Sequence, residues 1–327
     1  MRFAFAMILL TFASFAALGQ TPPTLRIVTE TPNLPSELFY GDIKVKPLRL
    51  RPGTNTPITI NDSDFFVNQQ YVDFLGRFPD PDGLNFWAGK ITGCGANAGC
   101  IDFERTNTSG AFFVSIEFQE TGYLVYRLYK AAYGDANGSA IINNTATAIQ
   151  VPMVRRQEFL PDMATLRNGV QVGIGNWAQQ LEANKVAFAT DFVQRSRFTT
   201  AYPTSLTPTD FVTQLFQKAG VSPSASEQQD AVNEFGGGAS NTADTAARAR
   251  ALRRIAENSA LKNNEYNRAF VLMQYFGYLR RNVNEGPDSD YSGWKFWLDK
   301  LDAHGGDFHS AQMVKAFIVS GEYLNRF

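Results

Sequence analysis

The sequence predicts an all-α protein: an array of helical repeat units preceded by a signal peptide and a Pro/Thr-rich extended linker. Three observations predict it: an apolar start, a proline-rich stretch without helical period, and helical periodicity from Asp64 to Phe327 in which blocks recur. The chain has 327 residues, of which 44% are apolar and 19% charged, as in globular proteins. Its net charge of −1 argues against a nucleic-acid partner, which would need clustered Lys and Arg.

Residues 1–19 have the features of a secretory signal peptide. Arg2 supplies the positive start, an apolar stretch follows to Ala17, and Ala17 and Gly19 are small residues at the −3 and −1 positions before Gln20. An uncleaved anchor is the alternative, but a membrane span needs about 20 apolar residues. We therefore expect a secreted or extracytoplasmic mature chain without a transmembrane helix, either free or attached to the cell surface.

Residues 20–63 contain seven prolines and many threonines. The short segment 25–28 (LRIV) is β-prone, but the prolines disfavour a central strand. We interpret this stretch as an extended linker or tether, in which residues 25–28 are the candidate for an edge strand.

The two cysteines agree with export. Cys94 and Cys100 enclose a run of small residues, and an even cysteine count in an exported chain favours a disulfide. A zinc site usually has four ligands, so two cysteines alone are a poor one.

An internal repeat is the most informative feature of the helical part. Its blocks occur in the same order near both ends: 70–77 (QYVDFLGR) and 274–281 (QYFGYLRR), the turns 79–83 (PDPDG) and 287–290 (PDSD), the pairs Phe86–Trp87 and Phe296–Trp297, and the closing segments 111–118 (AFFVSIEF) and 316–323 (AFIVSGEY). A fixed internal repeat is typical of helical arrays.

Two weaker copies lie between these units, and the sequence divides into three parts. Residues 64–134 hold the first unit and the start of the second, 135–266 hold two degenerate units, and 267–327 hold the fourth. Residues 134–145 and 236–238 are predicted surface loops.

The blocks 74–87 (FLGRFPDPDGLNFW) and 113–118 (FVSIEF) resemble the bacterial family called domain of unknown function 4214, and its arrangement is distantly similar to phycobilisome linker domains. The resemblance covers residues 64–134 and 266–327. It implies a helical, exported or cell-surface protein with no assigned reaction. The middle units lack the Pro-Asp turn and depart from the pattern.

The acidic turns could supply oxygen ligands to calcium, through Asp80 and Asp82 or through Asp288 and Asp290. A calcium loop also needs a bidentate Glu near its end, and none follows Asp82. We therefore expect these carboxylates to cap the helices that carry Trp87 and Trp297.

The aromatic pairs could form a sugar-stacking platform. Adjacent helical residues point about 100° apart, so at most one of each pair faces a given groove. Tyr71, Phe74 and Leu75 fit one helical stripe, and Tyr275 is the residue that matches Tyr71 in the fourth unit. We therefore expect Trp87, and Trp297 at the matching position, to pack under this stripe as core residues.

Catalytic motifs are absent from the sequence. The histidines, His304 and His309, are five residues apart, off the spacing that places two ligands on one helix face. Glu117 and Glu322 recur at matching positions, which favours a structural role such as pairing with Arg77 or Arg281. The sequence thus predicts a non-catalytic, cofactor-free interaction or assembly module whose partner is a protein or cell-envelope polymer. An extracellular carbohydrate-binding or polysaccharide-acting protein is the alternative.

Overall fold

The computed structural model describes residues 55–327 and, before them, the backbone of three short strands. The chain divides into two compact units, Met1–Pro47 and Leu48–Phe327. Within residues 1–47, β1 (Leu25–Val28), β2 (Glu37–Tyr40) and β3 (Ile43–Lys44) form an antiparallel sheet in the order β1-β2-β3. The strand at 25–28 is the expected edge strand, and the other two strands were not expected in a linker. The predicted signal peptide, and the rest of the predicted linker up to residue 54, lie outside the described residues.

The second unit is mostly helical, as predicted. Its helices are α1 (Ser63–Gln70), α2 (Pro81–Thr92), α3 (Ala98–Val114), α4 (Ile116–Glu120), α5 (Gly122–Tyr133), α6 (Arg156–Arg167), α7 (Trp177–Phe192), α8 (Ser196–Ala201), α9 (Pro208–Ala219), α10 (Ala225–Asn233), α11 (Thr245–Ala256), α12 (Ser259–Asn264), α13 (Tyr266–Gln274), α14 (Ser292–Ala303), α15 (Met313–Ile318) and α16 (Gly321–Leu324). None of the helices in the described part of the chain is long and apolar enough to cross a membrane.

Helix α5 is the centre of the core. All of its residues except the last, Tyr133, are buried, and it packs against α4, α6, α9 and α11. A helix that is buried all round needs apolar or internally paired side chains on every face. Arg127 meets this requirement by donating to the carbonyl oxygen of Ala256 at 2.7 Å.

Short helices close four longer ones in the same way. Four short helices, each four to six residues long, follow a longer helix after at most a few residues: α4 follows α3, α8 follows α7, α12 follows α11 and α16 follows α15. In each, the third residue is a fully buried apolar side chain: Phe118, Phe198, Leu261 and Tyr323. The first and last of these helices have the same cap, since Ser115 and Ser320 both accept from the N–H three residues later.

Helices α1 and α13 each continue into a π-helical turn, Tyr71–Leu75 and Tyr275–Leu279. Both turns end at a left-handed residue, Gly76 (φ +59°) and Arg280 (φ +53°).

Helices α3 and α13, which are far apart in sequence, are in contact. The rings of Phe113 on α3 and Phe270 on α13 stack with centroids 4.0 Å apart. Tyr71 and Phe112 from the first motif and Tyr275 and Phe317 from the second belong to one continuous core.

A pair of strands interrupts the helices between α5 and α6. There, β4 (Asp135–Ile142) and β5 (Thr145–Pro152) form an antiparallel hairpin, where a surface loop was predicted for residues 134–145. Asn143 and Asn144 form its two-residue turn with φ of +50° and +61°. Such a turn needs positive φ at both positions, which Asn tolerates better than most residues. The hairpin packs on α14, where the N–H of Tyr291 donates to the carbonyl oxygen of Ser139.

Candidate functional site

The two aromatic pairs have the same geometry on α2 and α14. The rings of Phe86 and Trp87 are 5.0 Å apart at 80°, and those of Phe296 and Trp297 are 4.9 Å apart at 79°. A lysine one turn later lies against each pair. The ammonium of Lys90 is 5.1 Å from the centre of the Phe86 ring, and that of Lys300 is 5.2 Å from the centre of the Trp297 ring. Each pair is thus an aromatic and cationic surface rather than a purely apolar one.

The expectation that both tryptophans are core residues is wrong. Trp87 and Trp297 are partly buried at the edge of the core, and Phe86 and Phe296 are each 57% exposed. The core-facing stripe of α2 is Leu84, Trp87, Ala88 and Ile91, of which only Ile91 is fully buried, so Trp87 packs against the edge of the core. The motif therefore presents rings to solvent at two places on the molecule.

Tyr71, Arg77 and Glu117 form the base of the first site. The Nε and Nη2 atoms of Arg77 donate to the two carboxylate oxygens of Glu117 at 2.8 and 2.9 Å. Burial opposes the charge of Arg77, but the hydrogen bonds to Glu117 outweigh it and raise the pKa of the guanidinium. The guanidinium carbon lies 5.0 Å from the Tyr71 ring centre, and burial followed by the charge of Asp80 raises the pKa of Tyr71.

Tyr275, Arg281 and Glu322 form the same arrangement around α13 to α16. Arg281 donates to both oxygens of Glu322, at 2.5 and 3.1 Å, and lies 5.3 Å from the Tyr275 ring centre. The pairing expected from the sequence is therefore present in both units. The two differ in burial, since the side chain of Glu322 is 34% exposed and that of Glu117 is 6% exposed. Arg281 also donates to Asp288 at 2.6 Å.

An open cavity of about 220 Å³ lies beside Trp87. It is lined by side chains of the π-helical turn, α2, α3, α4 and the loop after α6: Tyr71, Leu75, Arg77, Trp87, Ala111, Phe112, Ser115, Ile116, Glu117 and Val172. The carboxylate of Glu117 has both oxygens bonded to Arg77, so the polar floor of the cavity is largely saturated. The rest of the lining is aromatic and aliphatic.

The acidic turns have different roles in the two units. Asp80 caps α2 as predicted, accepting from the N–H of Gly83 at 2.8 Å, and this bond is the main reason that its pKa is lowered. Asp82 lies exposed in the first turn of α2. Asp290 accepts from the N–H of Ser292, the first residue of α14, at 2.9 Å. The capping prediction is wrong for Asp288, whose carboxylate pairs with Arg281 instead.

Calcium binding by these turns remains a hypothesis. Within the described part of the chain, no three or more His, Cys, Asp or Glu side chains are grouped as metal ligands would be.

The predicted disulfide is confirmed. Cys94 and Cys100 are bonded, with Cα atoms 5.5 Å apart. Cys94 lies just after α2, and Cys100 lies in the first turn of α3, where Asn97 caps the helix by accepting from its N–H. The bond therefore ties the end of the helix that carries Trp87 to α3.

Arg167, at the end of α6, is a residue that sequence reasoning missed. Its guanidinium lies against the backbone of Gly76, where an added Cβ would be 2.7 Å from Nη2. Its buried Nε has no hydrogen-bond partner in the described residues, and burial lowers its pKa. Arg127 and Arg248 are also buried arginines, but each of them donates to a backbone carbonyl oxygen. The position of Arg167 depends on tertiary packing, and no sequence pattern indicates it.

A second cavity, of about 380 Å³, lies between the hairpin and the turn before α14. It is mostly polar, with Asn137, Arg155, Asn284, Asp290 and Tyr291 among its lining residues. Arg155 holds the two sides together by donating to Asn284 and Glu285, both at 2.7 Å.

The histidines lie apart from both cavities. His304 is exposed at the end of α14, and the ring of His309 stacks on Phe103 with centroids 4.7 Å apart. Neither lines either cavity.

No protein-family model, curated protein or solved structure matches this chain.

Proposed function

We propose that this chain is an exported, non-catalytic interaction or assembly module built from four helical units, of which the first and the fourth resemble the domain of unknown function 4214 family. Its partner would be a protein or a polymer of the cell envelope. The recurring closing helices and the matched Arg77–Glu117 and Arg281–Glu322 pairs support the repeat. The disulfide is compatible with an extracytoplasmic location.

One observation carries the proposal. Phe86 and Phe296 occupy matching positions on α2 and α14, and each is 57% exposed beside a partly buried tryptophan. Fully burying a ring of this size is worth about 1.5–3 kcal/mol, and a ring that is 57% exposed forgoes part of that. Contiguous exposed apolar surface, such as Phe86 with Trp87 and Phe296 with Trp297, marks interaction sites more often than single exposed side chains do.

The carboxylates of the motif favour a binding role over a catalytic one. Glu117 and Glu322 each have both oxygens bonded to an arginine. A general acid or base must instead be within hydrogen-bond reach of the substrate proton that it transfers.

A double variant, Phe86→Ser and Phe296→Ser, tests the proposal. We expect an unchanged melting temperature and a loss of proteins or polymers that are cross-linked to the native chain in intact cell envelope. Val186→Ser is the matched control, because Val186 is similarly exposed on α7, away from the motif. Equal capture by the double variant and the native chain would overturn the proposal.

Carbohydrate binding is the second candidate function, and the 380 Å³ cavity favours it. Its size falls in the range of roughly 300–1,000 Å³ that is usual for small-ligand sites. Its amide side chains, Asn137 and Asn284, with the ring of Tyr291, are groups that bind sugar hydroxyls and faces. Glycan-array binding that is lost in Asn284→Ala and kept in the double phenylalanine variant would support this function.

A further inference from the structure

The cavity beside Trp87 has the size of one ring. A cavity of about 150 Å³ in a protein core accommodates benzene, and ligand sites for larger molecules start at roughly 300 Å³. At about 220 Å³, this cavity accepts a single ring and its first substituents but not an oligosaccharide. Its aromatic walls, Tyr71, Trp87 and Phe112, suit a flat apolar group.

The rim of the cavity is apolar and exposed. Ile116 lines it and is mostly exposed, and Phe86 lies edge-on to Trp87 with its ring in solvent. Phe78 and Ile174, each close in sequence to a lining residue, are also exposed. A pocket surrounded by exposed apolar side chains is the usual form of a protein-binding hot spot, where the surrounding contacts exclude water from a central anchor.

The cations near this cavity outnumber the carboxylates free to pair with them. Glu117 is bonded to Arg77, and Asp80 accepts from Gly83 and Gln171. The buried Nε of Arg167 has no hydrogen-bond partner within the described residues, and the nearby charge of Glu117 favours the charged form of its guanidinium. The guanidinium lies against Gly76, which is flanked in sequence by the lining residues Leu75 and Arg77. Lys90, which lies over the Phe86 ring, has no carboxylate partner in the described part of the chain.

We propose that this cavity is the anchor pocket of a protein-binding surface, taking one aromatic side chain from an acidic segment of the partner, whose carboxylate pairs with Arg167. The inference rests on the proposed interaction function and names its partner class. The apolar rim and the size favour a peptide over a sugar, and the unpaired cations favour an acidic one. A guanidinium that is already desolvated gains more from a carboxylate than one in water.

The experiment uses the full-length mature protein labelled with ¹⁵N and observes the indole N–H signals. The chain has four tryptophans, so the Trp87 signal can be assigned with a single Trp87→Phe variant. The probes are the tripeptides acetyl-Asp-Phe-Asp-amide and its neutral analogue acetyl-Asn-Phe-Asn-amide, with glucuronate as the sugar probe. We expect the acidic peptide to shift the Trp87 signal saturably, with an affinity about tenfold above that of the neutral peptide.

In Arg167→Gln the acidic and neutral peptides should bind with nearly equal affinity. In Lys90→Gln the acidic peptide should keep more of its higher affinity. Arg167 makes no hydrogen bond whose loss would unfold the chain, and Arg254→Gln, in an exposed ion pair, is the control that should keep the preference. Equal affinities in the native protein, no shift with either peptide, or a shift with glucuronate alone would each overturn the inference. Because the probes bind purified protein, these outcomes are independent of partner capture by the double phenylalanine variant.

Discussion

The hydroxyl of Tyr71 occupies the space that a side chain at Gly83 would need: an added Cβ would lie 2.2 Å from that oxygen. Gly83 is the third residue of α2, so the π-helical turn and the start of α2 approach each other more closely than any other residue would allow. The fourth unit has the same relationship, since a Cβ at Gly293 would lie 2.5 Å from the Tyr275 hydroxyl. The close approach of these helices therefore recurs at both ends of the chain.

Gly83→Ala should destabilise the protein by about 1–3 kcal/mol, because the added methyl group overpacks a site that has no room. Gly293→Ala should have an effect of the same sign. Urea denaturation followed by circular dichroism measures both.

Gly89→Ala, in the same helix, is the control. No atom lies within 4 Å of its added Cβ, so replacing glycine in the helix interior should stabilise the protein by about 0.5–1 kcal/mol. A stabilising Gly83→Ala would contradict the close approach of Tyr71.

The two arginine–glutamate pairs should differ in their contribution to stability. Glu117→Gln should cost about 1.5–3 kcal/mol, because it removes charge-assisted bonds from the largely buried Arg77. Glu322→Gln should cost less, because that carboxylate is more exposed and Arg281 keeps Asp288 as a counter-ion. Denaturant titrations of the two variants measure both losses of unfolding free energy. Equal losses would show that the burial of the carboxylate does not determine how much each pair stabilises the protein.

The sequence predicts the helical class, the two arginine–glutamate pairs, the Asp80 cap and the disulfide, because each of these depends on residues with strong local signals. The blocks around Arg77 and Glu117 recur, and recurrence indicates a structural pair wherever both members repeat together. Asp80 precedes a proline at the start of a helix, which is a strong capping signal. The cysteines enclose small residues that allow a tight bridge.

What the sequence does not predict depends on tertiary packing. Residues 135–152 contain few large apolar side chains, so their alternation is weak, and the Asn143–Asn144 turn is the signal that was missed. Trp87 shares the core-packing stripe of α2 with Leu84, Ala88 and Ile91, and of these only Ile91 is fully buried. Its partial burial depends on how the neighbouring helices cover α2, which neither residue type nor helical spacing indicates.

The disulfide should contribute modestly to stability. The loop between Cys94 and Cys100 is short, so closing it removes chain entropy worth about 2 kcal/mol from the unfolded state. The double variant Cys94→Ser and Cys100→Ser should fold with unchanged circular dichroism and lose about that amount. Mass spectrometry of non-reduced peptides should show the linked pair in exported protein, and two free thiols there would contradict it.

Asp80 should give stability a dependence on acid pH. Its pKa is lowered below the ordinary value of 3.8 in the folded protein, chiefly by the N–H of Gly83, so its contribution is present above about pH 4. The contribution is lost as the pH falls through the folded pKa. Asp80→Asn should therefore destabilise at pH 7, and its deficit relative to the native protein should shrink towards pH 3. Asp82→Asn, at an exposed position in the same turn, is the control, and a deficit of Asp80→Asn that stays constant with pH would contradict the capping role.

Trp294 on α14 and Trp87 on α2 allow the cost of removing a buried tryptophan to be compared with that of removing a partly exposed one. Trp294 is 1% exposed and its indole N–H donates to the carbonyl oxygen of Arg268, so Trp294→Ala should cost about 3–5 kcal/mol. Trp87 is only partly buried beside an open cavity, so Trp87→Ala should cost clearly less. Denaturant titration of the two variants gives both values under the same conditions. Trp87→Ala should also abolish binding of the acidic peptide, whereas a cost equal to that of Trp294→Ala would return Trp87 to the core and leave the cavity without its principal wall.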